Sequence, residues 1–262
     1  MTPQPPVPDS NEPEYGPVFA VLTPQANTTV EPEMQLLLPG TVLTARCKSQ
    51  STDSRQRLLD YFETLLDTIA RFDTAPIRAC GFACTGSNYL VGREREDECF
   101  AALSASHKFP VISATQAIRH ALEVLGAKRI ALVSPYPAWL SSAAHAYWTE
   151  AGYTITATTG LPADLLDTRN IYKLNTARVT GLLGELLTDD YDAVLLSGTG
   201  MPTLRTVMAN TLGLPVISSN LCLAWAMQAV VKPSMASRAD LLDFLMGDAA
   251  WRKRLASRQE KP

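Results

Sequence analysis

Apolar positions along the chain fall into two alternating patterns. Short continuous runs rich in β-branched residues read as buried strands, and longer stretches with apolar residues three and four apart read as helices. Val18-Phe19-Ala20-Val21-Leu22 is the first strand and runs into a polar loop, Thr23 to Thr29; Thr41 to Arg46 is the second. Residues 53 to 72 carry Leu58, Leu59, Phe62, Leu65, Leu66 and Ile69 at helical spacing, which predicts one continuous amphipathic helix capped by Asp53 or Ser54. A third strand ends at Cys84. A helix over 94–106, a strand over Phe109-Pro110-Val111-Ile112-Ser113 and a helix from Ala114 to Leu125, stopped by Gly126, complete the first half.

The second half repeats the first. Ala131-Leu132-Val133-Ser134-Pro135 echoes Ala20-Val21-Leu22-Thr23-Pro24, and Leu214-Pro215-Val216-Ile217-Ser218 echoes Phe109 to Ser113, in the same order and at nearly the same offset. Between them Tyr153 to Thr156 takes the place of the second strand, 171–188 that of the long helix, and Asp192 to Gly200 that of the Cys84 strand. A single long period means a duplicated domain rather than a solenoid, which needs three or more units. The expected organisation is a proline-rich disordered tail over 1–16, half-domains over 17–128 and 129–231, and a helical extension over 232–262. Strands alternating with helices imply an α/β fold of two pseudo-symmetric parallel-sheet half-domains, duplicated Rossmann-like or flavodoxin-like units. Ligands then bind beyond the carboxyl ends of the strands, in the cleft between the halves.

Charge and cysteine usage narrow the partner. A net charge of -3 without a basic cluster excludes a nucleic-acid surface. No apolar run approaches the roughly 18 to 20 residues of a membrane span and no secretory signal is legible, which predicts a cytoplasmic protein. The 5 cysteines and 3 histidines are scattered, unlike a disulfide framework or a metal site. The expected partner is a small carboxylic or dicarboxylic acid, bound without metal or cofactor. The apolar C-terminal helix also allows a homo-oligomer.

Candidate chemistry centres on Gly81-Phe82-Ala83-Cys84-Thr85-Gly86-Ser87-Asn88, an apolar run ending in a thiol followed by small hydroxyl residues. The loops Thr85-Gly86-Ser87 and Gly198-Thr199-Gly200, with Tyr136, offer N–H and O–H donors to a carboxylate from both halves. A carbanion beside that carboxylate would be held as an enediolate. Cys84 then serves as proton donor or as nucleophile, its pKa depressed if loop N–H groups surround it. Asn27-Thr28-Thr29 also suits a cap for a helix beginning near Val30.

These features resemble the aspartate/glutamate racemase superfamily, in its maleate isomerase and arylmalonate decarboxylase branch, over roughly 17–231. Pro24 to Glu33 resembles the substrate loop of maleate isomerases, which implies that Asn27 binds a carboxylate. The same resemblance places Tyr136 on the family's active-site tyrosine, Asn170 on a substrate asparagine and Cys84 on the first catalytic cysteine. Met201-Pro202-Thr203-Leu204 resembles the isomerase segment after the second catalytic cysteine, yet Gly198 stands where that cysteine should be. One thiol argues against two-base racemisation. Decarboxylation of a malonate-type acid, with Cys84 as the proton donor, is the first expectation. Cis-trans isomerisation of a maleate-type acid, with Cys84 as nucleophile, is the alternative, and a catalytically inactive carboxylate-binding protein the second alternative.

Overall fold

The structure, a computed structural model, describes residues 13–160, 167–186 and 190–258. Most of the expected N-terminal tail, and the last two positions of the helix expected over 171–188, lie outside these residues.

The first half runs β1 (Val18–Pro24), α1 (Val30–Leu37), β2 (Thr41–Cys47), α2 (Ser54–Glu63), α3 (Leu65–Ile69), β3 (Ile77–Phe82), α4 (Thr85–Val91), α5 (Arg93–Ser106), β4 (Val111–Ser113) and α6 (Ala114–Leu125). The second runs β5 (Arg129–Ser134), α7 (Ala138–Glu150), β6 (Thr154–Gly160), α8 (Thr176–Gly184), β7 (Ala193–Leu196), α9 (Leu204–Met208), β8 (Val216–Ser218) and α10 (Ser219–Val231), with α11 (Arg238–Met246) and α12 (Ala250–Ser257) at the end. All strands are parallel. The orders β2-β1-β3-β4 and β6-β5-β7-β8 are the same topology twice, as the repeat in the sequence requires.

Register aligns the strand ends that matter. Leu22 pairs with Phe82, and Phe82 with Ser113, so the segments after β1 and β3 leave the sheet side by side. Val133 pairs with Leu196, and Leu196 with Ser218, in the second sheet. The helix α6 keeps its expected bounds because both ends carry local signals. Ser113 and Gln116 form a capping box, and Gly126 closes the helix at φ 73, a left-handed conformation natural to glycine.

The single helix expected over 53–72 is broken. Asp53 caps its start through Gln56 N–H, but Thr64 turns its hydroxyl onto the Asp60 carbonyl at 2.9 Å, a local bond that competes with the helix, and α3 begins on a new register. Leu66 consequently faces solvent rather than the core. The helix expected from 171 is divided in a similar way: a 3-10 turn covers Thr168–Lys173, and Asn175 starts α8 by accepting from Arg178 N–H.

The halves are joined by more than a linker. Every residue of α10 from Ser219 to Ala229 is buried, the mark of a helix enclosed on all sides. It packs on α6, β3 and β4 of the first half. Contact is so close that a Cβ at Gly81 would lie 2.6 Å from Met227 Sδ. The C-terminal helices close over the same body, α11 on α6 and α9, and α12 on α1. Trp251 is fully buried there, its indole N–H donating to the Phe244 carbonyl at 2.8 Å.

Candidate active site

Where β3 ends, the chain turns directly into α4, so Thr85-Gly86-Ser87 is the first turn of a helix rather than the expected loop. Cys84 sits at its N-cap and is buried. Its Sγ lies 3.1 Å from Ser87 Oγ, and Ser87 donates its only proton to the Leu58 carbonyl at 2.6 Å. A carbonyl can only accept, so the resting thiol must donate to Ser87. This contact fixes the direction of the S–H bond.

Burial raises the Cys84 thiol above its ordinary value; the Ser87 side chain and the N–H groups of Ser87 and Gly86 oppose the rise without reversing it. The depressed thiol expected from the sequence is therefore corrected. The donors are there, but desolvation outweighs them. Tyr136 pairs with Thr85 Oγ1 at 2.7 Å, and burial holds its phenol well above its usual range, which keeps it neutral and able to donate.

In the second half the equivalent strand end makes a tight turn, with Met201 N–H returning to the Gly198 carbonyl. Gly198 has φ +137, and a Cβ there would lie 2.9 Å from Ile171 Cδ1 and 3.3 Å from the Tyr136 hydroxyl. The glycine is thus not a cysteine position with its sulfur trimmed away. Backbone and neighbours have settled around the absence of a side chain.

This turn is held from the first half. Thr199 Oγ1 donates to the Ala83 carbonyl at 2.8 Å and Thr29 Oγ1 to the Gly200 carbonyl at 2.8 Å. Asn27 Oδ1 caps α1 by accepting from Thr29 and Val30 N–H, and its Nδ2 reaches Thr199 Oγ1 at 3.4 Å. Glu33 of α1 accepts Thr203 N–H at 2.8 Å and Leu204 N–H at 3.4 Å, at the start of α9. Asn220 Nδ2 donates both to Glu33 Oε2 at 2.8 Å and to the Thr199 carbonyl at 3.0 Å. Burial pushes the Glu33 carboxyl up to about 7. Further out, Trp148 Nε1 donates to Tyr89 Oη at 3.1 Å, and Tyr89 Oη shares a hydrogen bond with Ser197 Oγ at 2.7 Å, the residue before Gly198.

These segments enclose a small cavity of about 30 Å³, room for one or two waters. Of the residues singled out in the sequence, Cys84, Thr85, Gly86, Tyr136, Thr199 and Gly200 line it. Asn27, Ser87, Gly198 and Asn170 are not among the lining residues. Asn27 and Ser87 act one layer behind, through Thr199 and Cys84, while Asn170 lies on the 3-10 turn whose neighbours Thr168, Arg169, Ile171 and Tyr172 form the wall.

The remaining lining groups include two arginines and two further tyrosines, Arg57 and Tyr61 of α2 with Arg169 and Tyr172. Arg57 is 2% exposed and lies one position before Leu58 and four before Tyr61 on the same helix. That spacing is the only sign in the sequence that it points inward. None of the histidines lines the cavity. The wall can receive a small acid with hydroxyls and guanidinium groups around one thiol.

Residues 19–241 match the arylmalonate decarboxylase family. A maleate isomerase of Geobacillus stearothermophilus is 26% identical over 228 residues, spanning 77% of this chain and 86% of that protein. Among solved structures, a cysteine-to-serine variant of Nocardia farcinica maleate cis-trans isomerase, carrying a covalently bound succinylcysteine, superposes with a TM-score of 0.71 at 21% identity, over 82% of this chain and 92% of that one. Arylmalonate decarboxylase superposes with a TM-score of 0.68 at 19% identity, over 82% and 93%. With a duplicated parallel-sheet fold, a cysteine at the end of the third strand and a match across most of its length, the chain belongs to the arylmalonate decarboxylase family.

Proposed function

We propose that this enzyme isomerises a small unsaturated dicarboxylate of the maleate type, cis to trans, with Cys84 as nucleophile. The observation that carries this reading is the character of the cavity wall: two arginines and several hydroxyl-bearing residues are among those lining the space beside the thiol. Decarboxylation, the first expectation from the sequence, requires an apolar pocket into which one carboxylate is expelled. Arg57, once free of Asp167, instead stabilises a bound carboxylate, and stabilising the ground state of a group that must leave raises the barrier.

The chemistry needs one thiol. The Cys84 S–H proton passes to a carboxylate oxygen of the bound dianion, the sulfur bonds to one alkene carbon, and the π electrons move through the other carbon into its carboxylate as an enediolate. The former double bond, now single, rotates. The electron pair then returns, the C–S bond breaks and the trans acid leaves with no net transfer of a proton. The Thr85–Tyr136 pair uses one hydroxyl proton between its members and has the other for an enediolate oxygen, and Ser87, by turning its proton from the Leu58 carbonyl to sulfur, stabilises the thiolate. The succinylcysteine in the Nocardia variant supports a sulfur adduct as a competent species in this fold.

Incubation with maleate in D₂O, followed by proton NMR, tests the reading. The expected product is fumarate without deuterium at its vinyl carbons, and no product from Cys84→Ser. Carbon dioxide release from arylmalonates with no fumarate from maleate would overturn it in favour of decarboxylation.

A further inference from the structure

On the premise that the substrate is a dicarboxylate, we propose that Arg57 is the receptor for its second carboxylate and that Asp167, now seated on Arg57, is a resident competitor the substrate displaces. Arg57 donates to the Thr52 carbonyl at 2.8 Å, to Ser54 Oγ at 2.9 Å and to Asp167 Oδ1 at 2.7 Å. The first two bonds come from its own helix and the residues before it, so they fix the guanidinium without using it up. Among the described residues, only Asp167 neutralises its charge.

The two partners differ in their freedom. The Arg57 side chain is 2% exposed and that of Asp167 34%, so the acid can move to water and the guanidinium cannot. Arg169 also holds Asp167, its Nε donating to Oδ2 at 3.0 Å and Oδ1 at 3.1 Å and its backbone N–H to Oδ1 at 2.9 Å, and its side chain is more than half exposed. That pair can travel outward together. Asp167 also borders an outer hollow of about 500 Å³ with Thr52, Ser54 and Trp139, while Arg57 lines the inner cavity with Cys84. The Asp167 carboxylate therefore stands between the outer hollow and the reacting sulfur.

Cys84 and Arg57 line the same small cavity, which must widen from about 30 Å³ to take a short diacid between them. Among the described residues no carboxylate side chain lines that space. A buried guanidinium left without an anion is costly, and a substrate carboxylate replaces Asp167 at no loss of pairing. A monoacid held beside Cys84 leaves Asp167 in place and gains nothing from Arg57. Arg169 holds the Asp167 carboxyl down at about 2, so the competitor stays charged at any working pH.

Binding measured by titration calorimetry on the full chain, with maleate, succinate and monomethyl maleate as probes, tests this directly. Asp167→Asn is expected to tighten maleate and succinate ~10-fold, corresponding to the loss of a charged competitor, and to leave monomethyl maleate within about twofold. Arg57→Gln is expected to weaken the diacids ~30-fold or more and bring them level with the half-ester; Arg57→Lys, which keeps the charge if Gln does not fold, retains part of the preference. Weaker diacid binding in Asp167→Asn, or equal losses for diacid and half-ester in the Arg57 variants, would overturn the proposal. Isomerisation of maleate without Arg57-dependent selectivity sinks the receptor and leaves the reaction standing. Arg57-dependent diacid binding without isomerisation does the reverse, and absence of any diacid binding overturns both.

Discussion

Glu33 joins α1 of the first half to the start of α9 in the second, and its buried carboxyl gives that junction a pH dependence. An ordinary glutamate with a value of 4.5 is raised here to about 7, because burial disfavours the charged form more than Asn220, Thr203 and Leu204 favour it. Below pH 4.5 the group is neutral in both folded and unfolded chains and contributes no difference. Between 4.5 and about 7 the unfolded chain releases the proton and the folded chain keeps it, so stability falls as pH rises. Above 7 both are ionised and the loss is complete. At about 1.4 kcal/mol for each tenfold change in proton affinity, the loss is about 3 kcal/mol. Glu33→Gln keeps an acceptor for Thr203 and Leu204 N–H and cannot ionise. Urea unfolding of both proteins at pH 5, 6, 7 and 8 should show the stability difference, variant minus wild type, rising by about 2.5 kcal/mol across the series. Taking that difference cancels other titrating groups, including Glu96, which burial raises in the same direction. Parallel curves for the two proteins would refute the reasoning, whatever the absolute offset introduced by the new amide.

Gly198→Ala adds a Cβ 2.9 Å from Ile171 Cδ1 on a backbone with φ +137, and should cost about 1–3 kcal/mol in urea unfolding. Adding Ile171→Val should recover only the steric part; full recovery would show that the backbone carries no strain. Tyr89→Phe removes the hydrogen-bond partner of Ser197 and leaves Trp148 Nε1 unpaired in the core, an expected loss of about 1–3 kcal/mol with the cysteine strand untouched, read as a lower Tm.

The sheets, their duplication and the loops at their carboxyl ends are legible in the chain because buried parallel strands announce themselves as β-branched runs, and a run repeated in order announces a repeated fold. α6 is legible to the residue, since Ser113, Gln116 and Gly126 encode both of its ends locally. α4 is not. Thr85-Gly86-Ser87-Asn88 has the composition of a turn, and the helix is held by neighbours, with Ser87 bonded to Leu58 of α2 and α7 packed on its other side. Arg57 is hidden for a related reason: it stands in the polar run Ser54-Arg55-Gln56-Arg57, and only the packing of α2 turns one of the two arginines inward. The thiol's position was readable and its proton affinity was not, because the number of donors near sulfur can be guessed from small residues while the depth of burial depends on the whole fold.

The enclosure of α10 limits how this molecule can move. Two similar sheets around a cleft invite the picture of a book opening at its spine, yet a page of the second half is bound into the first: rotating the halves apart would strip α10 from β3 and α6 and break the bonds that run from Thr29, Ala83 and Glu33 to the Gly198–Leu204 segment. Hinge motion on that scale costs as much as partial unfolding. Access to the sulfur is therefore gained at the rim, by side chains and the 3-10 turn, around a frame that stays closed.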